Sequence, residues 1–312
     1  MTNPTRRRLL AASAGSALGA LLSPYAASAS AADEPVPARP IPQGGGERLP
    51  IVGIGTAVIF DYENDAAKQA ERRQVLQALV AGGGRLVDTA PAYGRAEDRL
   101  GELVADLGSR DRLFLATKVD SRFDPAAAEA SLQASLRRLR TNRVDLMQAW
   151  NVGDEKYSFG QLRDWKRQGL CRYVGMTTSF LRQYDAIGKV LARERPDFFQ
   201  INYSLGDREA EKALLPAARD AGAAVLVNLP FGRNSLFRKA GNRPLPDFAA
   251  EIGARSWAQL FLKFILSHPA VTAVIPGTDK PAYMLDNLQA GRGPMPDAAL
   301  RRRIVEYWDA LA

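Results

Sequence analysis

An aspartate, a tyrosine and a lysine occupy positions from which they can share one proton. Asp88 and Tyr93 belong to the segment Asp-Thr-Ala-Pro-Ala-Tyr-Gly at 88–94, and Lys118 ends the apolar run 113–118. A phenol ordinarily has a pKa of about 10, which is too high for efficient acid–base catalysis at neutral pH. A neighbouring ammonium lowers the pKa of the phenol, and a carboxylate keeps that ammonium charged and in place. Together the three residue types predict a tuned general acid.

Each of these residues alone has an ordinary structural explanation. Asp88 can cap the turn after its strand, Lys118 can be a solvated strand end, and Tyr93 can pack in a loop. The prediction of chemistry therefore depends on whether the secondary structure brings the three side chains to one place.

After residue 50 the sequence alternates short apolar runs with longer amphipathic stretches. Strands separated by helices predict parallel pairing through right-handed crossovers. Eight such units predict an α/β fold, a single-domain (β/α)8 barrel of the TIM type over residues 50–312. The predicted strands are 51–55, 85–88, 113–118, 144–150, 173–176, 198–201, 224–228 and 271–275. The clearest helical periodicity covers 67–80, 126–138, 209–221 and 256–266.

An open, doubly wound sheet is the alternative to a barrel. It predicts a Gly-x-Gly-x-x-Gly turn between the first strand and the first helix. The first strand contains Gly-Ile-Gly at 53–55 without a third glycine, and the glycines at 82–84 precede a strand and predict a helix C-cap. The barrel is therefore favoured. In barrels the functional groups gather at the C-terminal ends of the strands, which would bring Asp88, Tyr93 and Lys118 to one mouth.

The composition is typical of a soluble globular protein, since the 312 residues are 46% hydrophobic and 24% charged. The formal net charge of +8 is compatible with a nucleic-acid partner. Three of the positive charges lie at 6–8, in a segment that we expect to be removed, and no other basic run resembles a nucleic-acid tract. We therefore predict no nucleic-acid partner.

The chain has one cysteine and one histidine. The single Cys171 excludes an intrachain disulfide, and its apolar surroundings predict an inert thiol. The single His268, which precedes Pro269, excludes histidine-based zinc sites and histidine-dependent triads, and we predict a structural role for it. The sequence therefore predicts no metal site.

The first 31 residues have the three parts of a secretory signal peptide. Arginines at 6–8 precede an apolar run of small residues, and two Ala-Ser-Ala patterns follow at 27–31. The paired arginines resemble the twin-arginine type, which predicts export by that machinery, cleavage, and a periplasmic or extracytoplasmic bacterial protein. A retained membrane anchor is the alternative, and the shortness of the apolar stretch disfavours it. Residues 32–49, with several prolines and three consecutive glycines, predict a flexible lead-in.

Several segments resemble those of the aldo-keto reductases, and the resemblance covers nearly all of residues 50–312. The segment 88–94 is similar to the family's Asp-Thr-Ala-x-x-Tyr-Gly motif, which is quite specific. Val-Asp-Leu-Met-Gln at 144–148 is similar to the strand that carries the family's catalytic histidine. Further similar segments are Gly-Ile-Gly-Thr at 53–56, Gln-Ile-Asn-Tyr-Ser at 200–204 and Ile-Pro-Gly-Thr at 275–278.

The resemblance implies an NAD(P)H-dependent oxidoreductase that reduces the carbonyl of a small aldehyde or ketone. Asp88, Tyr93 and Lys118 would be three members of the family's catalytic tetrad, with Tyr93 as the general acid. NADP(H) is favoured over NAD(H), because Lys280 can pair with a 2′-phosphate. The implied cofactor-binding residues are Gly55, Thr56, Thr177, Thr178, Gln200, Asn228, Pro230, Phe231, Gly232, Gly277, Thr278, Lys280, Asp286 and Asn287.

The same resemblance implies a role for each group of these residues. Thr177, Thr178 and Gln200 would hold the nicotinamide carboxamide, and residues 230–232 would lie along the pyrophosphate. The polar residues of 278–287 would surround the adenosine end of the cofactor.

The chain departs from the family pattern at two positions. The tetrad histidine aligns with Trp150, and an aromatic residue that stacks on the nicotinamide aligns with Asn228. An indole offers one N–H donor and no acceptor, so Trp150 can hydrogen-bond a substrate oxygen but cannot relay a proton. It can equally serve only to fill the mouth. Phe231 can replace the missing ring, or stacking is absent.

Two functions are compatible with these residues. In the first, the chain is an active carbonyl reductase in which Tyr93 donates the proton and Trp150 orients the carbonyl. In the second, the barrel binds the cofactor with little or no turnover and acts as a sensor or partner subunit. The retained acid–base residues favour the first function, and the two departures favour the second. The sequence specifies neither the substrate nor the oligomeric state.

Overall fold

The computed structural model of the chain describes residues 35–311. The predicted signal peptide at 1–31 lies outside the described residues. None of the helices within 35–311 is both long enough and apolar enough to cross a membrane.

The described residues alternate strands and helices, as the sequence predicted. The strands are β1 (Ala38–Pro40), β2 (Arg48–Pro50), β3 (Ile54–Gly55), β4 (Leu86–Asp88), β5 (Phe114–Asp120), β6 (Val144–Trp150), β7 (Cys171–Thr178), β8 (Phe198–Asn202), β9 (Ala224–Asn228) and β10 (Val271–Val274). The α-helices are α1 (Ala66–Ala81), α2 (Ala96–Asp106), α3 (Pro125–Arg138), α4 (Gly160–Arg167), α5 (Tyr184–Glu194), α6 (Leu214–Ala221), α7 (Ser235–Ala240), α8 (Trp257–Leu266), α9 (Pro281–Gln289) and α10 (Ala298–Ala310). Short 3-10 helices lie at Arg110–Arg112, Leu181–Gln183, Glu209–Glu211 and Asp247–Ile252.

Strands β3 to β10 form one parallel sheet in which each strand pairs with the next strand of the chain. Val52 bridges Val274 in parallel, and the N–H of Gly53 donates to the carbonyl of Val274 at 2.9 Å, so the first strand region meets the last. The predicted single-domain (β/α)8 barrel is therefore confirmed. Strand β3 is short because the residues before it bond to β10.

Alternation along the strands sends one set of side chains into the barrel and the other set toward the helices. The inward set forms a buried inner cluster that includes Phe114, Leu146, Tyr173 and Phe198. The outward set packs with the helices into a larger hydrophobic core. On the inward face of β5, the apolar side chains end and the charged Lys118 follows two residues further along the strand. An apolar floor thus supports a polar mouth at the C-terminal ends of the strands.

A β-hairpin closes the opposite end of the barrel. Strands β1 and β2 pair antiparallel, and Ile41 and Leu49 belong to the buried inner cluster. Glu47 accepts a hydrogen bond from the Tyr173 hydroxyl at 2.7 Å and pairs with Arg172. The predicted flexible lead-in over 32–49 is therefore wrong for the hairpin, because its apolar side chains are buried against the barrel floor.

The glycines at 82–84 end a helix, as predicted. Helix α1 begins after Asp65, whose carboxylate accepts from the N–H of Lys68 at 3.0 Å, and ends with Gly82 as its C-cap. Gly83 has φ of +86°, a left-handed conformation that glycine adopts without strain. These residues therefore form a helix C-cap and turn the chain toward β4, so they precede a strand and do not follow one.

Candidate active site

A buried ion pair lies at the C-terminal ends of β4 and β5. The Lys118 ammonium is 2.6 Å from Oδ2 of Asp88 and donates to the carbonyl of Thr89 at 2.9 Å. Asp88 pairs with Ala116 in the register, so Lys118 lies two residues further along the same face of β5. The two side chains are only 3% and 2% exposed. Each charge depends on the other, since an unpaired buried charge is costly.

The surroundings keep Lys118 protonated. Burial alone lowers the pKa of its ammonium, but the charges of Asp88 and Tyr93 and their hydrogen bonds outweigh burial, and the pKa lies above its ordinary value. The lysine therefore provides a permanent positive charge beneath the mouth.

Tyr93 lies over this charge, with its ring centroid 5.0 Å from the Lys118 ammonium. Burial raises the pKa of the Tyr93 phenol above its ordinary value, and the opposing positive charge does not cancel that effect. The predicted lowering of the phenol pKa is therefore wrong, because the sequence does not reveal how deeply the ring is buried. The phenol stays protonated at neutral pH and can act as a proton donor.

The glycine after Tyr93 is required by a close contact. Gly94 has φ of +58°, and a β-carbon on it would lie 2.2 to 2.5 Å from the carboxylate atoms of Asp61. That carboxylate accepts from the N–H of Arg95 at 2.9 Å, so the loop after β3 holds the Tyr93 turn in place. The Tyr-Gly pair of the motif is thus explained by backbone conformation and by the lack of space for a side chain.

Two buried amides bind the second oxygen of the Asp88 carboxylate. Gln148 and Gln200 donate to Oδ1 of Asp88 at 3.1 and 2.9 Å. Gln148 is fully buried and lies directly opposite Lys118 in the register. Sequence reasoning missed Gln148, although it lies two residues before Trp150 and therefore on the same face of β6. Three donors from three strands thus hold one carboxylate.

Trp150 ends β6 at the mouth, as the sequence predicted. It pairs with Asp120 of β5 and Thr177 of β7 in the register, and it is partly exposed. The next residue, Asn151, has φ of +60° and is 8% exposed. The backbone therefore turns sharply behind the indole.

The residues expected to hold the carboxamide lie together but are already bonded. Thr177 donates to Oε1 of Gln200 at 3.2 Å, and Gln200 gives its amide N–H to Asp88. The Thr178 hydroxyl binds Gln183 and accepts from the N–H of Phe180 at 3.1 Å. All three residues expected to bind the carboxamide are less than 2% exposed.

The loop after β9 has an unusual backbone. Leu229, Gly232, Arg233 and Asn234 all have positive φ, between +48° and +68°. Successive left-handed residues turn N–H groups to one side, an arrangement that binds anions. Within this loop Pro230 is buried, and the Phe231 ring packs on Phe237 and Phe261 at 4.9 and 6.5 Å. That packing opposes the prediction that Phe231 replaces the missing stacking ring.

The residues expected around the adenosine lie on and before α9. Lys280 pairs with Glu71 at 2.7 Å, and the Lys280 side chain is 50% exposed. Asp286 accepts from Ser256 and from Gln259 at 2.6 Å each, which ties α9 to the start of α8. The remaining positions here are Thr278 and Asn287, both buried, and the exposed Gly277.

The first strand region contributes backbone to the mouth. Thr56 donates its hydroxyl to the carbonyl of Asp88 at 3.0 Å, and a β-carbon on Gly55 would lie 3.0 Å from the carbonyl of Ile275. Arg72, which sequence reasoning missed, reaches from α1 to the carbonyls of Ile59 and Asp279 at 2.7 and 2.9 Å. Helical periodicity does not predict that Arg72 is buried against the loop that carries Lys280.

Unsatisfied polar atoms concentrate at the mouth. Within residues 35–311, five buried side-chain atoms have no hydrogen-bond partner, and each belongs to a residue in the C-terminal half of a barrel strand or directly after it. They are Thr89 Oγ1, Gln148 Oε1, Asn151 Oδ1, Asn202 Oδ1 and Asn228 Oδ1. Buried polar atoms are normally paired, so this group indicates that the mouth receives donors from outside the protein.

The single histidine and the single cysteine lie away from the mouth. His268 lies in the connection before β10, where its Nδ1 accepts from the N–H of Ala270 at 3.2 Å, and burial lowers its pKa. Cys171 begins β7, and burial raises the pKa of its thiol to about 12. Both residues lie at the N-terminal ends of strands, and the thiol has the inert character that the sequence predicted.

Comparison with known proteins agrees with the barrel. The model of the aldo/keto reductase family matches residues 51–302. The aldo-keto reductase str7 of Strobilurus tenacellus is 28% identical over 261 residues, which cover 70% of this chain and 76% of that protein.

Two solved structures share the fold. An aldo/keto reductase from Klebsiella pneumoniae in complex with NADP and acetate has a TM-score of 0.71 and 23% identity, over 85% of this chain and 93% of that one. The aldo-keto reductase AKR11C1 from Bacillus halodurans, in its holo form, has the same TM-score and identity, over 89% and 97%.

Proposed function

The chain belongs to the aldo/keto reductase family, and from that premise we propose that it reduces an aldehyde or ketone to an alcohol with NADP(H). The observation that carries this proposal is the buried ion pair of Asp88 and Lys118, with the centroid of the Tyr93 ring 5.0 Å from the ammonium. A phenol above a fixed positive charge is a proton donor whose anion is stabilised as it forms.

The residues at the mouth fit a nicotinamide dinucleotide. Its carboxamide brings N–H donors, and the strand ends present buried acceptors without partners, Asn202 Oδ1 and Asn228 Oδ1 among them. Its phosphates bring negative charge, and the loop 229–234 combines left-handed backbone with the exposed Arg233. When bound, the cofactor supplies the hydride that reduces the carbonyl carbon.

The chain's own residues supply and steady the proton. Tyr93 donates its hydroxyl proton to the carbonyl oxygen, and the Lys118 ammonium stabilises the phenolate that remains. Asp88 keeps Lys118 in place, while Gln148 and Gln200 keep Asp88 in place. Because burial raises the pKa of Tyr93, the donor stays loaded through neutral pH, and reduction slows only when alkaline pH removes that proton.

Two observations support NADP(H) over NAD(H). Lys280 and Arg72 share the single carboxylate of Glu71 near α9, where the resemblance puts the adenosine end of the cofactor. Lys280 is half exposed, and the exposed salt bridge with Glu71 is weak enough to be exchanged for a phosphate. The Klebsiella pneumoniae relative also binds NADP.

Turnover of the mature protein with NADPH tests the proposal. We expect oxidation of NADPH, followed by its absorbance, against at least one member of a panel of aldehydes, ketones and quinones. Tyr93→Phe is expected to lose this turnover and to keep NADPH affinity, because it removes only the acidic hydroxyl. Turnover that survives in Tyr93→Phe would overturn the assigned role of the phenol.

Trp150 favours the second candidate function, a cofactor-binding barrel with little or no turnover that acts as a sensor or partner subunit. The indole ends β6 where the resemblance expects a histidine, and it cannot relay a proton. Cofactor binding without turnover on any substrate of the panel would support this candidate and exclude the reductase.

We also propose that the protein is exported by the twin-arginine machinery and acts outside the cytoplasm of a bacterium. The arginines at 6–8, the apolar run and the Ala-Ser-Ala patterns support this. N-terminal sequencing of protein recovered from the extracytoplasmic fraction is expected to begin close to residue 32. An uncleaved chain that stays in the cytoplasm would contradict export.

A further inference from the structure

The hydrogen bonds of Gln200 leave it without capacity to accept a further donor. Its Nε2 donates to Asp88 at 2.9 Å, and its Oε1 accepts from Thr177 at 3.2 Å and from Asn228 at 3.5 Å. Rotating the amide by half a turn would place its oxygen against the Asp88 carboxylate, which excludes the other orientation. Both lone pairs of the Gln200 oxygen are therefore occupied.

Two asparagines beside Gln200, in contrast, each have a side-chain oxygen that accepts no hydrogen bond. Asn202 is two residues further along the same face of β8, and Asn228 is the register partner of Asn202 on β9. Their amide nitrogens donate to the carbonyl of Ser179 at 3.3 Å and to Oε1 of Gln200. Because both of those partners are acceptors, the two Oδ1 atoms must face elsewhere, and both are buried without a partner.

We propose that Asn202 and Asn228, and not Gln200, receive the N–H groups of the nicotinamide carboxamide. This assignment rests on the proposed cofactor use. The carboxamide is the part of the nicotinamide that brings N–H donors, and the two orphaned acceptors flank the residue expected to bind it. The asparagine at the end of β9 then replaces ring stacking with a hydrogen bond to the edge of the nicotinamide.

The 3-acetylpyridine analogue of NADP+ isolates this contact. It carries a methyl group in place of the amide nitrogen and keeps the carbonyl, both riboses and all phosphates. The ratio of its dissociation constant to that of NADP+, measured by calorimetry without any substrate, therefore reports only the N–H donors. We expect the wild type to bind NADP+ about fivefold or more tightly, since one net hydrogen bond is worth about that much.

Matched variants locate the acceptor. In the double variant Asn202→Leu with Asn228→Leu the ratio is expected to fall to about one, because leucine has a similar size and no acceptor. In Gln200→Leu and in Thr177→Val the ratio is expected to persist, even where overall affinity changes. Thermal unfolding of each variant with and without NADP+ verifies that the barrel is intact.

The outcomes separate this assignment from the function on which it rests. A ratio that persists in the double variant and falls in Gln200→Leu would overturn it in favour of Gln200, and a ratio near one in the wild type would overturn it for both. Binding of neither dinucleotide to the intact wild-type barrel would overturn the cofactor proposal itself, and this assignment with it.

Discussion

The two ends of the barrel use buried polar groups in different ways. At the N-terminal end, Asp145 accepts from the N–H of Leu115 at 2.8 Å and pairs with Arg172 and Arg110 at 2.9 and 3.1 Å. At the C-terminal end, all five unpartnered buried side-chain atoms of residues 35–311 lie within reach of the strand ends. The buried carboxylate at the N-terminal end is thus fully bonded within the protein, whereas the C-terminal end contains buried acceptors without partners.

Two cavities lie at the end of the barrel opposite the mouth. Cavities of about 510 and 330 Å³ lie around the N-terminal ends of the strands. Several of the cations that line them are paired, for example Arg163 with Glu194 at 2.8 Å and Lys166 with Asp197 at 2.7 Å. Unsatisfied hydrogen-bonding capacity therefore marks the mouth as the end of the barrel at which a ligand is expected.

The largest effect is expected from Lys118→Met. It removes the charge under Tyr93 and leaves Asp88 unpaired in a buried place, so the reduction rate should fall about 100- to 10,000-fold and stability by about 3 kcal/mol. Single-turnover kinetics and thermal unfolding measure both quantities. Lys166→Met, at the other end of the barrel, is the control, and its turnover should match the wild type. An equal loss of turnover in the control would contradict the division between the ends.

The next prediction compares the free energy of unfolding of one variant at each end of the barrel, and the two variants are expected to differ. Asp145→Ala should lower the free energy of unfolding by about 3 kcal/mol, because it leaves the buried Leu115 N–H without its acceptor and removes one carboxylate partner from each of Arg110 and Arg172. Asn228→Leu should leave stability unchanged or raise it, since the buried oxygen that it removes has no partner and the hydrogen bond that it removes, from Nδ2 to Gln200, is long at 3.5 Å. Chemical denaturation compares the two variants. Destabilisation of equal size would show that the mouth is as fully satisfied as the opposite end.

The smallest expected effect comes from Trp150→His. An imidazole can donate a hydrogen bond to the carbonyl oxygen and relay a proton, so the reduction rate should rise about tenfold. Trp150→Phe is the matched control, because it keeps an aromatic ring and removes the N–H. A lower rate in the phenylalanine variant would assign a donor role to the indole, and an unchanged rate would assign it to packing alone. A drop in rate for Trp150→His would mean that Trp150 has a dedicated role of its own.

The sequence by itself determined the barrel and the identity of its central charges. Alternating apolar runs and amphipathic stretches predict strand–helix units wherever burial follows the period of the backbone, and the eight units appear as β3 to β10. Asp88 and Lys118 were predictable as partners because parallel strands bring their C-terminal ends to one edge. The three glycines at 82–84 were predictable as a helix C-cap, because glycine commonly ends helices.

Only the tertiary structure decided how those residues behave. The pKa of Tyr93 depends on the balance between burial and the charge of Lys118, and burial prevails. Gln148 of β6 donates a hydrogen bond to Asp88 of β4, with β5 between them. The hairpin from Ala38 is ordered because its apolar side chains are buried against the barrel floor. Such effects come from contacts between residues far apart in the chain, which local periodicity does not encode.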